Sequence, residues 1–325
     1  MSVLSAPRFH DPLAALAHIE AVLWPAGPVC PHCGATDRIY DLKGKSTKPG
    51  VRKCGHCAKL FTVTVGTIME SSHLPLNKWL QAIHLLCSSK KGFSAHQLHR
   101  TLEITYKSAW FLAHRIREAM RDGSLAPLGG SGKIVEADET YIGRKEGWEP
   151  QRGGGHKMKV LSLVERGGKV RSMRMDAITV ADVTPIVREN VARESRLMTD
   201  ESKVYVPVGG EMAGHHSVNH SAEEWRRGDT HTNTIEGFFS VFKRGMKGTY
   251  QHCREKHLHR YLAEFDFRYN NRTALGCEDV QRSHLALAGA KGRRLTYKYP
   301  DSARGTTGSA AAVTQGAEGI EEEKA

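Results

Sequence analysis

Three acidic residues, far apart along the chain, stand at the ends of regular elements in its second half. Asp138 lies within Ile134–Ile142, whose alternation reads as a strand and sets Asp138 on the face of Glu136 and Thr140, opposite Glu139. Asp200 closes a short strand, Arg196–Thr199, at the kind of strand end where α/β sheets present ligands. Glu236 sits in the first turn of a helix beginning near Asn233, and Lys243, seven residues on, falls on the same helical face. In-line cleavage of a phosphodiester calls for such a set. It uses two divalent ions roughly 3.5–4 Å apart, one activating the nucleophile and one stabilising the leaving oxygen. Hard Mg2+ (or Mn2+) prefers carboxylate oxygen. Without a cation, carboxylates at contact distance repel by about 1–4 kcal/mol per pair. Lys243 would steady a phosphate. Each acid also has an ordinary reading: Glu236 as the capping-box partner of Asn233, Asp200 as a turn or cap residue, Asp138 as a solvated strand end.

A second constellation precedes them. Cys30-Pro31-His32-Cys33 and Cys54-Gly55-His56-Cys57 are two C-x2-C knuckles separated by 20 residues. That spacing suits a zinc ribbon, and four sulfur ligands close the shell, so one Zn2+ there is structural rather than catalytic. Structural zinc contributes on the order of 10–16 kcal/mol to a region too small to bury a core. Lys43, Lys45, Lys48, Arg52, Lys53 and Lys59 surround the knuckles and offer phosphate contacts.

The elements that must carry these sites follow from patterning. The first 25 residues read as a short N-terminal helix and residues 26–66 as the ribbon. Helical spacing from Leu76 continues to about Cys87, with Gly92 as its end. Ser94–Leu102, a three-residue turn and Tyr106 to about Arg121 form a helix-turn-helix within residues 67–122. Its seam is Leu98, Leu102, Ile104, Ala109, Leu112 and Ile116, and an ordinary α-hairpin is the competing reading. Tyr106, Lys107 and Ser108 stand where a recognition helix meets base edges, while Lys90, Lys91, Arg100 and Arg115 are placed for phosphates. Residues 123–132 read as a linker, and 133–275 as an α/β unit with strands at Ile134–Ile142, Lys159–Glu165, Val170–Asp176 and Arg196–Thr199. A C-terminal extension from 276 turns flexible from about 301.

The net charge of +12 is uneven, since residues 301–325 hold five acids and two bases and the rest therefore carries +15. Such an excess favours a polyanionic partner. No run of 18 apolar residues occurs and the start lacks a basic-then-apolar leader, so the expectation is a cytoplasmic protein without a membrane partner.

Taken together, Glu136-Ala137-Asp138-Glu139-Thr140, Thr199-Asp200 and His231-Thr232-Asn233-Thr234-Ile235-Glu236-Gly237-Phe238-Phe239-Ser240 behind a zinc ribbon and helix pair resemble the bacterial insertion-sequence transposases of the DDE type. Lys243 to Tyr250 and Phe267 to Arg272 are similar to that family too, and the likeness spans roughly residues 15–275. The resemblance implies an RNase H-like core, a mixed five-stranded sheet flanked by helices, preceded by the ribbon and the helix-turn-helix. It implies Asp138, Asp200 and Glu236 as the Mg2+-binding triad, with Asn233 as the alternative third ligand, and Lys243, Arg244 and Lys247 as DNA contacts. The expected partners are the terminal inverted repeats, target DNA and a second copy of the chain. Water frees a 3′-hydroxyl, which then attacks target DNA without a covalent protein link. Tyr141 is a minor alternative nucleophile. The rival functions are a DNA-binding regulator with an inactive core and a ribonuclease of the same fold.

Overall fold

The structure, a computed structural model, describes residues 2–123, 126–297 and 319–320. The expected flexible tail lies outside the described residues, apart from Gly319–Ile320, which pairs in parallel with Thr296–Tyr297. The chain divides into two units, one of residues 1–87, 95–120 and 283 onward, the other of 88–94 and 121–282.

In the first unit, α1 (Pro12–Leu23) starts at Asp11, whose carboxylate accepts from the Leu13 and Ala14 amides, and Pro12 occupies the first turn, where its missing N–H costs nothing. Three short antiparallel strands, β1 (Ile39–Asp41), β2 (Arg52–Cys54) and β3 (Leu60–Phe61), form the ribbon sheet in the order β1-β2-β3. Helix α2 (Leu76–Ser88) buries Trp79, Leu80, Ile83, Leu86 and Cys87, the face its spacing predicts. Helices α3 (Ala95–Leu102) and α4 (Tyr106–Ala119) pack through Leu98, Leu102, Ala109, Leu112 and Ile116, each at most 1% exposed, while Ile104 stays partly exposed in the turn. Thr105 caps α4 by accepting from the Ser108 amide at 3.1 Å.

The second unit is built on a five-stranded sheet: β4 (Ile134–Ile142), β5 (Met158–Glu165), β6 (Val170–Met175), β7 (Arg196–Thr199) and β8 (Gly214–Ser217), in the order β6-β5-β4-β7-β8. The first three run antiparallel as a meander, and β4, β7 and β8 are mutually parallel. Between β6 and β7 runs α5 (Val180–Asn190), and the short α6 (Val206–Gly209) precedes β8. Helices α7 (Asn233–Gly245) and α8 (Leu258–Asn270) follow the sheet.

Strand β5 shows why this is a two-faced core. Val160 and Val164 pack with Ile235, Phe238 and Phe242 of α7 and Leu262 and Phe265 of α8. Leu161 and Leu163 pack with Val183 and Val187 of α5 and Val208 of α6. Side chains alternate across a strand, so a strand covered on both faces is apolar at nearly every position. This is the RNase H-like arrangement, a mixed sheet with helices on both faces.

Three differences from expectation have physical causes. The segment expected as a linker is bonded to the core from Leu128, whose amide donates to Asn190 at 2.8 Å and whose carbonyl accepts from Ala192 at 2.9 Å. Strand β8, Gly-His-His-Ser, has no apolar alternation to announce it, because it is an edge strand with partly or fully exposed side chains. Finally, α9 (Asp279–Ala288) was read only as extension, yet residues from 283 complete the first unit. Leu295 packs with Trp110, and a side chain on Gly289 would meet the Ala119 carbonyl oxygen at 2.2 Å.

Candidate active site and zinc centre

Strand β4 pairs with β5 along its whole length, but with β7 only through Ile134↔Arg196, Val135↔Leu197 and Glu136↔Met198. Strand β7 stops at Thr199. Carrying the register on by two residues sets Asp200 level with Asp138, where the chain leaves the sheet. Ligand atoms of Asp138, Glu139 and Asp200 lie within 4.8 Å of one another.

Glu139 corrects the alternation argument. Its backbone does face away from Asp138, towards the α5 side, where buried Tyr205 donates its hydroxyl to Glu139 Oε2 at 2.6 Å. The carboxylate nonetheless joins the group, because the β7 pairing ends at Glu136 and both faces of β4 open onto one space. The sequence carried the signal, an acid beside Asp138, but strict period-2 reasoning discards it.

Burial, reinforced by Asp200 and Glu139, pushes the Asp138 carboxyl up to about 8. Burial raises Asp200 and Glu139 as well. Close carboxylates that each resist ionisation form a site poised for a cation, so the donor set fits hard divalent metal. Burial and then Glu139, Asp138 and Asp200 raise the Tyr141 hydroxyl as well.

Glu236 stands outside the tight group, although its charge adds to the rise at Asp138. Its carboxylate accepts from Thr232 Oγ1 at 2.8 Å and lies 3.5 Å from His220 Nε2. It is thus bonded to a side chain one turn back rather than to a helix-cap amide. Asn233 instead engages His231, its amide 3.3 Å from Nδ1.

Glu136, wholly buried, is the residue that sequence reasoning left without a role. It accepts from Arg166 Nε at 2.6 Å, Thr234 Oγ1 at 2.9 Å and the Ile235 amide at 2.9 Å. A carboxylate at the N-terminus of α7 meets the positive end of that helix and satisfies one of its unpaired amides.

The expected cationic residues divide. On α7, Lys243 lies 5.9 Å above the Phe239 ring, and Arg244 bonds the Ser240 carbonyl at 3.0 Å and its hydroxyl at 2.8 Å. Lys247, Lys90 and Lys91 are exposed on the second unit, and Arg100 and Lys107 on the first. Ser108 is partly buried and linked to Thr105, and Tyr106 stacks on His96 at 4.4 Å. Arg115 is a correction. It is 5% exposed, its guanidinium lies over Trp79 and Phe111 and bonds the Glu70 carbonyl, and burial pulls it down to about 10. It is a packing residue, unavailable to a phosphate. Arg52 is likewise committed, with Nη2 3.0 Å from Glu20 Oε2 and Nε 2.9 Å from Asp41 Oδ1.

The four knuckle sulfurs converge as expected: Cys30 to Cys57 is 3.7 Å, Cys33 to Cys54 is 3.6 Å, and all four fall within 4.8 Å. The Cys57 backbone amide, helped by that of His56, pulls the Cys54 thiol down to about 6, while the neighbouring Cys33 thiol is pushed up to about 12, so the metal-free sulfurs do not all ionise together. Four thiolates around one point fit structural zinc.

Two family models match this architecture: the ISXO2-like transposase domain over residues 127–270 and the transposase zinc-ribbon domain over residues 13–60. Residues 127–270 are thus an ISXO2-like transposase domain. The second unit of the chain is therefore the transposase domain, and the cysteine cluster is the transposase zinc ribbon. The transposase is 26% identical over 268 residues to an uncharacterized protein in transposable element ISH50 of Halobacterium salinarum, a match covering 77% of this chain and 88% of that one. Among solved structures, a chain of a simian T-cell lymphotropic virus intasome in complex with PP2A regulatory subunit B56 gamma is 12% identical with a TM-score of 0.27, covering 52% of this chain and 67% of that one. A pre-cleavage Mos1 transpososome chain is 12% identical with a TM-score of 0.22, covering 58% and 75%. Scores that low add nothing to the sheet order, which carries the fold. Among the described residues no helix is long and apolar enough to cross a membrane.

Proposed function

We propose that the transposase binds the terminal inverted repeats of its own insertion sequence and cuts and rejoins DNA through a DDE site made of Asp138, Asp200 and Glu236. The observation that carries this reading is the convergence of Asp138 and Asp200, 62 residues apart in sequence, into one partly buried carboxylate group at the end of the β4–β7 pairing. Divalent cations bound there, Mg2+ or Mn2+ and two in number, supply Lewis-acid activation of the attacking and leaving oxygens.

The chain's own part is positioning and charge. Asp138, held midway along β4 by its pairing with β5, and Asp200, just past the end of β7, would hold the cations. Glu236 completes the set from α7, with Thr232 and His220 orienting its carboxylate. Lys243, two turns along that helix, contacts a phosphate, flanked by Arg244 and Lys247. The α3–α4 pair, through Tyr106, Lys107 and Ser108 with Arg100, reads the element end, and Lys90 and Lys91 add phosphate contacts. Pairing two ends calls for at least two copies of the chain on DNA, at work in the cytoplasm. An intact, cation-poised carboxylate group favours this over a regulator with an inert core.

Incubation with duplexes from the flanks of its own gene and Mg2+ should give nicks that expose a 3′-hydroxyl at the element end. Asp138→Ala and Asp200→Ala should each abolish nicking and joining while binding those duplexes nearly as well as the unaltered chain. Joining that survives either substitution sinks the assignment.

A further inference from the structure

The parallel strands β4, β7 and β8 all finish on the edge of the sheet where Asp200 emerges, so the loops after β4 and β8 border the carboxylates. The loop after β8, residues 218–232, runs directly into α7 and Glu236. It displays Trp225, an indole 60% exposed to solvent. A large apolar ring held in water is unfavourable, and isolation on a floppy loop would make it unremarkable. This loop is fastened.

Glu201, next to Asp200, accepts from the His220 amide at 3.0 Å, the Ser221 amide at 3.2 Å and the Ser221 hydroxyl at 2.7 Å. At the other end Asp229 accepts from Arg196 at 2.7 and 3.2 Å, and its carbonyl from Arg166 at 2.7 Å. Between these anchors Arg227 and Thr230 exchange backbone hydrogen bonds of 2.9 Å each. His220 lies beneath the indole, with ring centroids 4.9 Å apart, and the same imidazole reaches to 3.5 Å from Glu236 Oε1. A single side chain therefore separates a displayed indole from the third acid. Arg226 and Arg227, exposed, follow it immediately.

A rigid, solvent-facing aromatic beside cations and close to a phosphodiester-cutting centre has the makings of a base-stacking platform, since every base offers a π-face and every backbone a negative charge. We infer that Trp225 stacks on a base of the nucleotide flanking the scissile phosphate, holding it out of the helix while the strand is cut. The inference rests on the DDE reading of Asp138, Asp200 and Glu236 and adds a contact to DNA that the carboxylates do not make. Unstacking a terminal base frees its phosphate to turn into the site, and the indole offsets the lost stacking.

The test uses the full-length zinc-loaded chain with element-end duplexes in which 5-iodo-deoxyuridine replaces successive bases on either side of the nick. Ca2+ stands in for Mg2+ so that no strand is cut. Irradiation should cross-link one or two of these positions to the peptide bearing Trp225. Trp225→Ala should lose the cross-link, bind the end about tenfold more weakly and cut a paired end more slowly. Trp225→Phe should keep most of the binding, and a mismatch at the flanking pair should restore part of the Trp225→Ala cutting. Binding and cutting without any cross-link to Trp225 overturns the inference while leaving the carboxylate reading intact. A cross-link in a chain whose cutting survives Asp138→Ala does the reverse. Loss of self-association in Trp225→Ala, with DNA contact unchanged, would place the indole in a protein interface and overturn it too.

Discussion

The Ile235 amide donates to Glu136 Oε2 at 2.9 Å, fastening the first turn of α7 to the strand that carries Asp138. Glu136 lies two residues before Asp138, and Ile235 directly precedes Glu236. One buried carboxylate thus spans the two elements that carry Asp138 and Glu236. Its other partners, Arg166 and Thr234, pair it in an interior where an unpaired charge would be costly.

Glu136→Gln should therefore act on both stability and chemistry. Removing the charge takes the buried carboxylate from Arg166, at about 2–3 kcal/mol, visible as a lower melting temperature. Cutting of element ends should fall at least about tenfold at temperatures where the variant is fully folded, because small misplacements at a catalytic centre are expensive. Binding of the ends should change little. Cutting at the unaltered rate in the folded variant would remove Glu136 from any positioning role.

Asp138→Asn should trade function for stability. The Asp138 carboxyl is raised from 3.8 to about 8 in the folded chain, so the folded state holds its proton more tightly than the unfolded one. Without Mg2+, this group's effect on stability is most favourable below about pH 4 and declines as pH rises from about 4 to about 8. The amide removes that dependence. Zinc-loaded Asp138→Asn without added Mg2+ should melt a few degrees higher than the unaltered chain at pH 9, with the gap closing towards pH 5. A gap that widens as pH falls contradicts the sign.

The ribbon should depend on its metal. Its sheet has only three short strands, and its buried cluster is Cys30, Cys54 and Phe61 with a few partly buried neighbours. Cys54→Ser should release zinc, detected with a chromogenic chelator, and weaken binding of element ends. Full zinc retention with four-sulfur coordination by X-ray absorption would be incompatible with this ligand set.

Two basic residues of α4 should separate cleanly in role. Lys107→Ala, at an exposed position, should weaken end binding by several-fold, flatten its salt dependence slightly and leave the melting temperature unchanged. Arg115→Ala should instead destabilise the fold by about 2 kcal/mol or more, through lost packing on Trp79 and Phe111, and so lower the melting temperature. Equal melting of Arg115→Ala and the unaltered chain would return Arg115 to the DNA-contacting set.

Much of this protein was legible in its residues alone. The two knuckles carry zinc chemistry in their spacing, since a thiolate pair on a tight turn is a local object. Strands β4 to β7 and helix α7 announced themselves because burial on one or both faces writes a period into the chain. Asp200 and Glu236 stand out because each sits at an element's end, whereas Asp138, expected at a strand end, lies midway along β4, which runs on to Ile142. Tertiary structure alone decided the rest, for want of any local signature. Glu139 enters the acidic group only because β7 stops at Thr199, and Glu136 gains its role only where α7 begins against β4. Arg115 turned from phosphate contact to packing residue when Trp79 and Phe111 closed over it. A sequence records which side chains a backbone element offers. Which of them share one space is set by where neighbouring elements begin and end, and that is a property of the assembled sheet.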